Sequence, residues 1–193
     1  KGKNRHIIYE ERLHGKLESD DMQNMAMAYA VSKEKKREVI TEMITELCVS
    51  GVNSIVKKEE RLQQIRSLFD LDGITIYSES GAQLVCRNGN YMVEVPDGRG
   101  LFEDEKYLAL FGDDDNFIES NTLKLRFQDP AAFAVMQKQE IGASLQCLSR
   151  KEGVPNVIVN FDVFNRNRKW SDEDITLLTI LGHCIGNLLN YSE

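Results

Sequence analysis

Few side chains in this 193-residue chain can do chemistry. Its histidines are His6, His14 and His183, and its cysteines are Cys48, Cys86, Cys147 and Cys184. The cysteines form no CxxC pair and have no histidines at ligand spacing, so no zinc pattern is present. His183 adjoins Cys184, but neighbouring helical residues point about 100° apart, which argues against a Cys–His nucleophile. The run Asp113-Asp114-Asp115-Asn116 offers oxygens to a hard cation but lacks the alternating spacing and distant glutamate of a calcium loop. It reads as a solvated acidic loop. Asp70 and Asp72 precede Gly73 and read as turn residues. Gly98-Arg99-Gly100 is not followed by Lys-Ser/Thr and makes no phosphate loop. Cys86 and Cys147 fall on expected strands, where they read as small buried hydrophobes. A redox pair formed across the sheet stays open as the alternative. No catalytic residue, metal ligand or cofactor is assigned.

The composition sets the frame for these residues. Hydrophobic residues are 41% and charged residues 28%, enough for a real core. A net charge of −7 has the wrong sign for a general nucleic-acid binder. No run of 18 apolar residues is present, so no membrane span is expected. The charge is uneven: residues 1–68 hold 13 Lys+Arg against 11 Asp+Glu, and residues 69–193 hold 11 against 20. Scattered cysteines in a chain of this size point to reduced thiols and a cytoplasmic location. The first residue is Lys1, and both ends have helical character, which reads as a fragment cut from a longer polypeptide.

Hydrophobic periodicity supplies the elements. Met22, Met25, Ala26 and Tyr29 recur at helical spacing, and Ser32–Glu38 is all polar and reads as a solvated helical turn or a linker. The period resumes through Ile40, Met43, Ile44, Leu47 and Cys48 to Ile55 and continues in Glu59–Phe69. Beyond Gly73 it changes from 3.6 to 2, predicting strands at 74–77, 84–87 and 91–95. A helix is expected near Glu103–Phe111 and a strand over Leu123–Phe127. Asp129-Pro130 marks a helix start, with a capping side chain followed by proline at the first helical position. Strands follow over Ala143–Ser149 and Asn156–Phe164. Ser171, with Asp172, Glu173 and Asp174 behind it, opens the last helix. The fold class is α+β: a central antiparallel sheet of about five or six strands with N- and C-terminal helices packed on one face. Residues 1–38 form a helical lead-in and residues 39–193 the domain.

The C-terminal third resembles the GAF domain family. Asn156–Phe161 stands as the last core strand and Ala143–Leu148 as the strand before it. Lys169-Trp170-Ser171-Asp172-Glu173-Asp174-Ile175-Thr176-Leu177-Leu178 is similar to the family's aromatic, hydroxyl and acidic run before paired leucines. Ala143, Leu148 and Val159 or Asn160 stand where Ser, Pro and Gly are common in the family. PAS domains are the alternative, and their helix–strand order suits the terminal helix less well.

The resemblance implies a bacterial-type sensory and dimerisation module in signal transduction, not itself an enzyme. It further implies an unknown small-molecule ligand and a covalently fused output domain, such as a diguanylate cyclase or a histidine kinase. The implied pocket lies over the sheet, roofed by residues 96–121 and the Pro130 helix. Its candidate lining is Tyr77, Cys86, Tyr91, Phe117, Phe127, Phe133, Met136 and Phe161. Arg87, Arg99 and Arg126 are candidate partners for an anionic ligand. A homodimer is expected through the N- and C-terminal helices, with Met43, Leu47, Ile185 and Leu188 at its interface. Two other readings stay open: a cysteine-based redox enzyme of the free methionine sulfoxide reductase type using Cys86 and Cys147, and a structural scaffold with a filled core.

Overall fold

A computed structural model describes residues 11–50, 59–78, 81–87 and 98–190. The chain divides into two units, residues 1–35 and 36–193. Helix α1 runs Glu11–Ser50, and its described side chains before residue 36 belong to the first unit. There Met22, Met25 and Tyr29 are 68%, 72% and 59% exposed. Lys33 Nζ lies 4.7 Å from the centre of the Tyr29 ring.

The second unit is built on a five-stranded antiparallel sheet in the order β2-β1-β5-β4-β3. Its strands are β1 Gly73–Ser78, β2 Gly81–Arg87, β3 Asn116–Glu119, β4 Ile141–Lys151 and β5 Val154–Phe164. The last two form the long hairpin expected from their alternation, with Asn160 opposite Gln146 and Asp162 opposite Ser144. Side chains alternate across the pleat, so β1, β4 and β5 each serve two cores. Ile74, Ile76, Leu145, Cys147, Val159 and Phe161 point to the face covered by α1, α2 (Glu59–Leu68) and α6 (Asp172–Asn190). Tyr77, Leu148, Ile158 and Phe164 point to the far face, which α3 (Glu105–Leu108), α4 (Leu125–Gln128) and α5 (Pro130–Lys138) cover.

Two caps foreseen from sequence are in place. Asp129 Oδ1 accepts from the amides of Ala131 and Ala132, and Ser171 Oγ accepts from Asp174 N. The polar run 32–38 is helical throughout. From Lys36 onward it docks: Lys36 Nζ donates to Asp174 Oδ1 at 2.6 Å, and Arg37 Nε donates to Glu173 Oε1 at 2.8 Å. Lys36 also sits 4.9 Å above the Phe69 ring. Helix α6 packs closely on the sheet because it carries glycine where β4 comes nearest. A Cβ on Gly182 would stand 2.5 Å from Cys147 Sγ, and one on Gly186 2.2 Å from Ser149 Oγ.

The strand expected over Leu123–Phe127 is helical instead. Asn121 Oδ1 accepts from Leu123 N and caps a 3₁₀ turn, Thr122–Lys124, that runs directly into α4. The buried positions Thr122, Leu125 and Asp129 recur at helical spacing, and alternating leucine and lysine fits that period equally well over so short a stretch. Strand β3 lies in a stretch where no strand was expected. The strand expected at 91–95 lies outside the described residues.

Candidate ligand site

The far face of the sheet carries a row of polar residues that one-sided packing does not require. Thr75, Ser144, Gln146, Asn160 and Asp162 are all buried there. Buried polar groups are costly unless satisfied, so the hydrogen bonds among them define what the site can do. Tyr107, carried in by α3, donates its hydroxyl to Gln146 Oε1 at 2.5 Å. Gln146 Nε2 donates to Ser144 Oγ at 3.1 Å, and Ser144 Oγ donates to Asp162 Oδ1 at 2.6 Å. Burial pushes the Tyr107 phenol far above its ordinary value, and Tyr77 and Asp162 push it the same way. The hydroxyl therefore stays a donor at every physiological pH.

Asn160 is the exception. Its Oδ1 is buried without a hydrogen-bond partner. It borders a cavity of about 20 Å³ whose walls include Tyr77, Tyr107, Met136, Gln139 and Gln146. That volume holds about one water molecule. A wider cleft of about 410 Å³ lies at the sheet's end, between Asn121–Leu123, Phe133 and Gln137 of α5, and the loop Asn165–Asn167. Most of its polar side chains are already engaged. Thr122 Oγ1 donates to Ile141 O, Asn165 Nδ2 donates to Glu140 Oε2, and Arg166 pairs with Asp70 and Asp72.

The structure places the sequence candidates unevenly. Tyr77 and Met136 line the small cavity. Phe117 lies in the far-face cluster, with Phe133 packed against it. Phe161 is fully buried on the opposite, helix-covered face, because odd-numbered residues of β5 point that way. Phe127 is 87% exposed on α4, with Arg126 5.9 Å from its ring centre. Tyr91 and the side chains of Cys86, Arg87 and Arg99 lie outside the described residues. Met43, Leu47 and Ile185 are fully buried in the chain's own core, with Leu188 packed against it, so these three present no surface to a second copy.

The approach of Cys86 to Cys147 that the alternative reading needs does not occur. Their strands, β2 and β4, are separated by β1 and β5, three interstrand steps or about 14 Å. Cys147 Sγ lies 4.0 Å from Thr179 O on the helix-covered face, where burial raises its thiol pKa strongly and suppresses thiolate. His183 Nε2 lies 3.0 Å from Asn116 Oδ1 and tethers α6 to β3. In the acidic loop, Asp115 accepts both nitrogens of Arg150's fork and Asp114 accepts from Asn116 N. Among the described residues, no group of three His, Cys, Asp or Glu is arranged to hold a metal. No helix among them is long and apolar enough to cross a membrane.

Sequence reasoning missed Gln146, Asn160, Ser144 and Asp162. Their signal was present: polar residues recur at every second position of two core strands, where buried strands ordinarily read as apolar.

No family model matches the sequence, and no curated protein aligns with it. Solved structures do match. The chromophore-binding domain of a Stigmatella aurantiaca bacteriophytochrome is 14% identical, with a TM-score of 0.60 over 80% of this chain and 60% of that one. The phycoerythrobilin-bound GAF domain of a cyanobacterial phytochrome is 10% identical, with a TM-score of 0.60 over 84% of this chain and 97% of that one. A GAF domain from Synechocystis sp. PCC6803, solved in its photoproduct state, is 14% identical, with a TM-score of 0.51 over 73% of this chain and 94% of that one. The chain thus shares its overall fold with these solved domains.

Proposed function

The chain has the GAF-domain fold, and we propose that it is a non-catalytic sensory module whose far face receives a small ligand rich in hydrogen-bond donors. The observation that carries this reading is Asn160 Oδ1, an acceptor held without a partner beside a chain of satisfied polar groups. An orphaned buried acceptor costs about 1–3 kcal/mol, which favours any ligand that satisfies it. Occupation by anything larger than water requires α5 and α3 to move outward from the sheet. That motion is the signal.

The bilin named for the bound neighbours does not suit the described residues here. Ligand pockets run to about 300 Å³ or more, and the cavity beside Asn160 is about 20 Å³. The ligand is therefore read as a smaller molecule.

Native mass spectrometry of the purified protein tests the reading. The expected result is an added small-molecule mass that is released on denaturation and is missing from Asn160→Leu. A protein that carries no added mass, binds nothing from a metabolite mixture, and has a single ordered water on Asn160 would reduce the site to a filled core.

A second reading concerns assembly. Met22, Met25 and Tyr29 recur at spacings of three and four along the first unit, the pattern of a helix seam, and all are exposed. We assign the homodimer contact to this stripe, in place of the buried Met43, Leu47 and Ile185. Fusion to an output domain remains part of the proposal.

A further inference from the structure

Helices α1 and α6 lie side by side and run in the same direction. Their first contacts are Lys36 with Asp174 and Arg37 with Glu173. From Lys36 to Cys48 is twelve residues, and from Asp174 to Cys184 is ten. At about 1.5 Å of rise per residue these are about 18 and 15 Å, so the two cysteines stand at one level to within about 3 Å. Between the two levels, Met43 and Leu47 of α1 share a single buried cluster with Leu181 and Ile185 of α6, which keeps the helices together over the interval. Cys48 stands eleven residues beyond Arg37 and Cys184 eleven beyond Glu173, three turns and about 20° further on each helix, so the two cysteines lie on the same helix faces as that ion pair. Cys48 is exposed and Cys184 half-buried, so dissolved oxidants reach the pair, whereas Cys147 is sealed in the core.

We propose that Cys48 and Cys184 form a redox-modification site, a reversible dithiol that closes to a disulfide and staples α1 to α6. The oxidant is a peroxide. The Cys48 sulfur, as thiolate, attacks one peroxide oxygen and the O–O bond breaks. The departing hydroxide takes up the proton lost by Cys48 and becomes water, leaving a sulfenic acid. The Cys184 sulfur then attacks the sulfenic sulfur, the S–S bond forms and the S–O bond breaks. The second hydroxide leaves with the Cys184 proton as water. Two thiols have lost two electrons, and one peroxide has become two waters. A small dithiol reductant reverses the step by exchange. Closing the sulfurs to about 2.05 Å ties the two helices covalently at this level, so oxidation alters the helical layer directly.

The test is treatment of the full chain with one equivalent of hydrogen peroxide. The expected result is loss of two of the four thiols, a fall of about 2 Da in intact mass, and a tryptic peptide joining the segments around Cys48 and Cys184. The thermal midpoint of the oxidised protein should rise by roughly 5–10 °C, because the crosslink closes a loop spanning most of the domain. Cys48→Ser and Cys184→Ser should each abolish the linked peptide and the rise, and Cys86→Ser should leave both intact. Retention of four thiols, a disulfide mapped to another pair, or a link between Cys48 residues of two chains would overturn the proposal.

Discussion

Tyr107 brings a hydroxyl donor into the sheet's far face, and the groups behind it depend on that donor in sequence. Tyr107→Phe keeps the ring and leaves Gln146 Oε1 without its donor, which should cost about 1–3 kcal/mol in denaturant unfolding. Asn160→Leu should act oppositely, raising stability by about 1 kcal/mol while removing ligand binding, since it deletes an unsatisfied acceptor. Asp174 tests the polar cover of the helical layer. Burial works to raise its carboxyl, but hydrogen bonds from Lys36 and Arg168 outweigh it and hold the folded value below the ordinary 3.8. A depressed folded value stabilises fully above the unfolded one and loses that contribution as pH falls through the folded one. Asp174→Asn should therefore unfold about 2 kcal/mol more easily at pH 7, and its difference from wild type should shrink on titration below pH 4. Capping residues such as Asp129 and Ser171 were legible because their chemistry is local. Asn160 was not, because a buried orphan is a property of what surrounds it.

Between elements, the closest meeting is α6 on β4. Gly182→Ala places a Cβ within 2.5 Å of Cys147 Sγ, with the Cys147 Cβ at 2.8 Å. It should destabilise by about 1–3 kcal/mol, and Cys147→Ala in the same chain should recover part of the loss, a coupling that a double-mutant cycle measures. Element types were read correctly wherever the period ran long: the β4–β5 hairpin alternates over eleven residues a side and α6 over nineteen. Leu123–Phe127 spans five residues, too few to separate a period of 2 from one of 3.6, and Asn121 decided it by capping. The charge run 32–38 hid its role for a different reason. Lys36 and Arg37 are polar by composition but serve as anchors to Asp174 and Glu173, partners more than 130 residues distant.

At the scale of the molecule, the two units make separable predictions. Residues 36–193 contain every member of both buried clusters. Removal of residues 1–35 should leave the thermal midpoint within about 2 °C of the full chain, while sedimentation should show loss of the dimer. Met25→Glu with Tyr29→Glu should do the same without shortening the chain, and a full-length protein that sediments only as monomer would refute the seam. The layout of the domain was legible as a whole because order of elements constrains topology. The contents of the pocket were not, because no local rule says which of two sheet faces will hold the polar residues. One contact also limits how this molecule can move. Advancing α6 by one turn toward its C-terminal end would set Leu178 against Cys147, in space that now admits only a hydrogen atom. Translation along the axis is thus blocked in that direction, and the bonds of Asp174 to Arg168 and of Asn190 to Asn156 hold the helix at both ends.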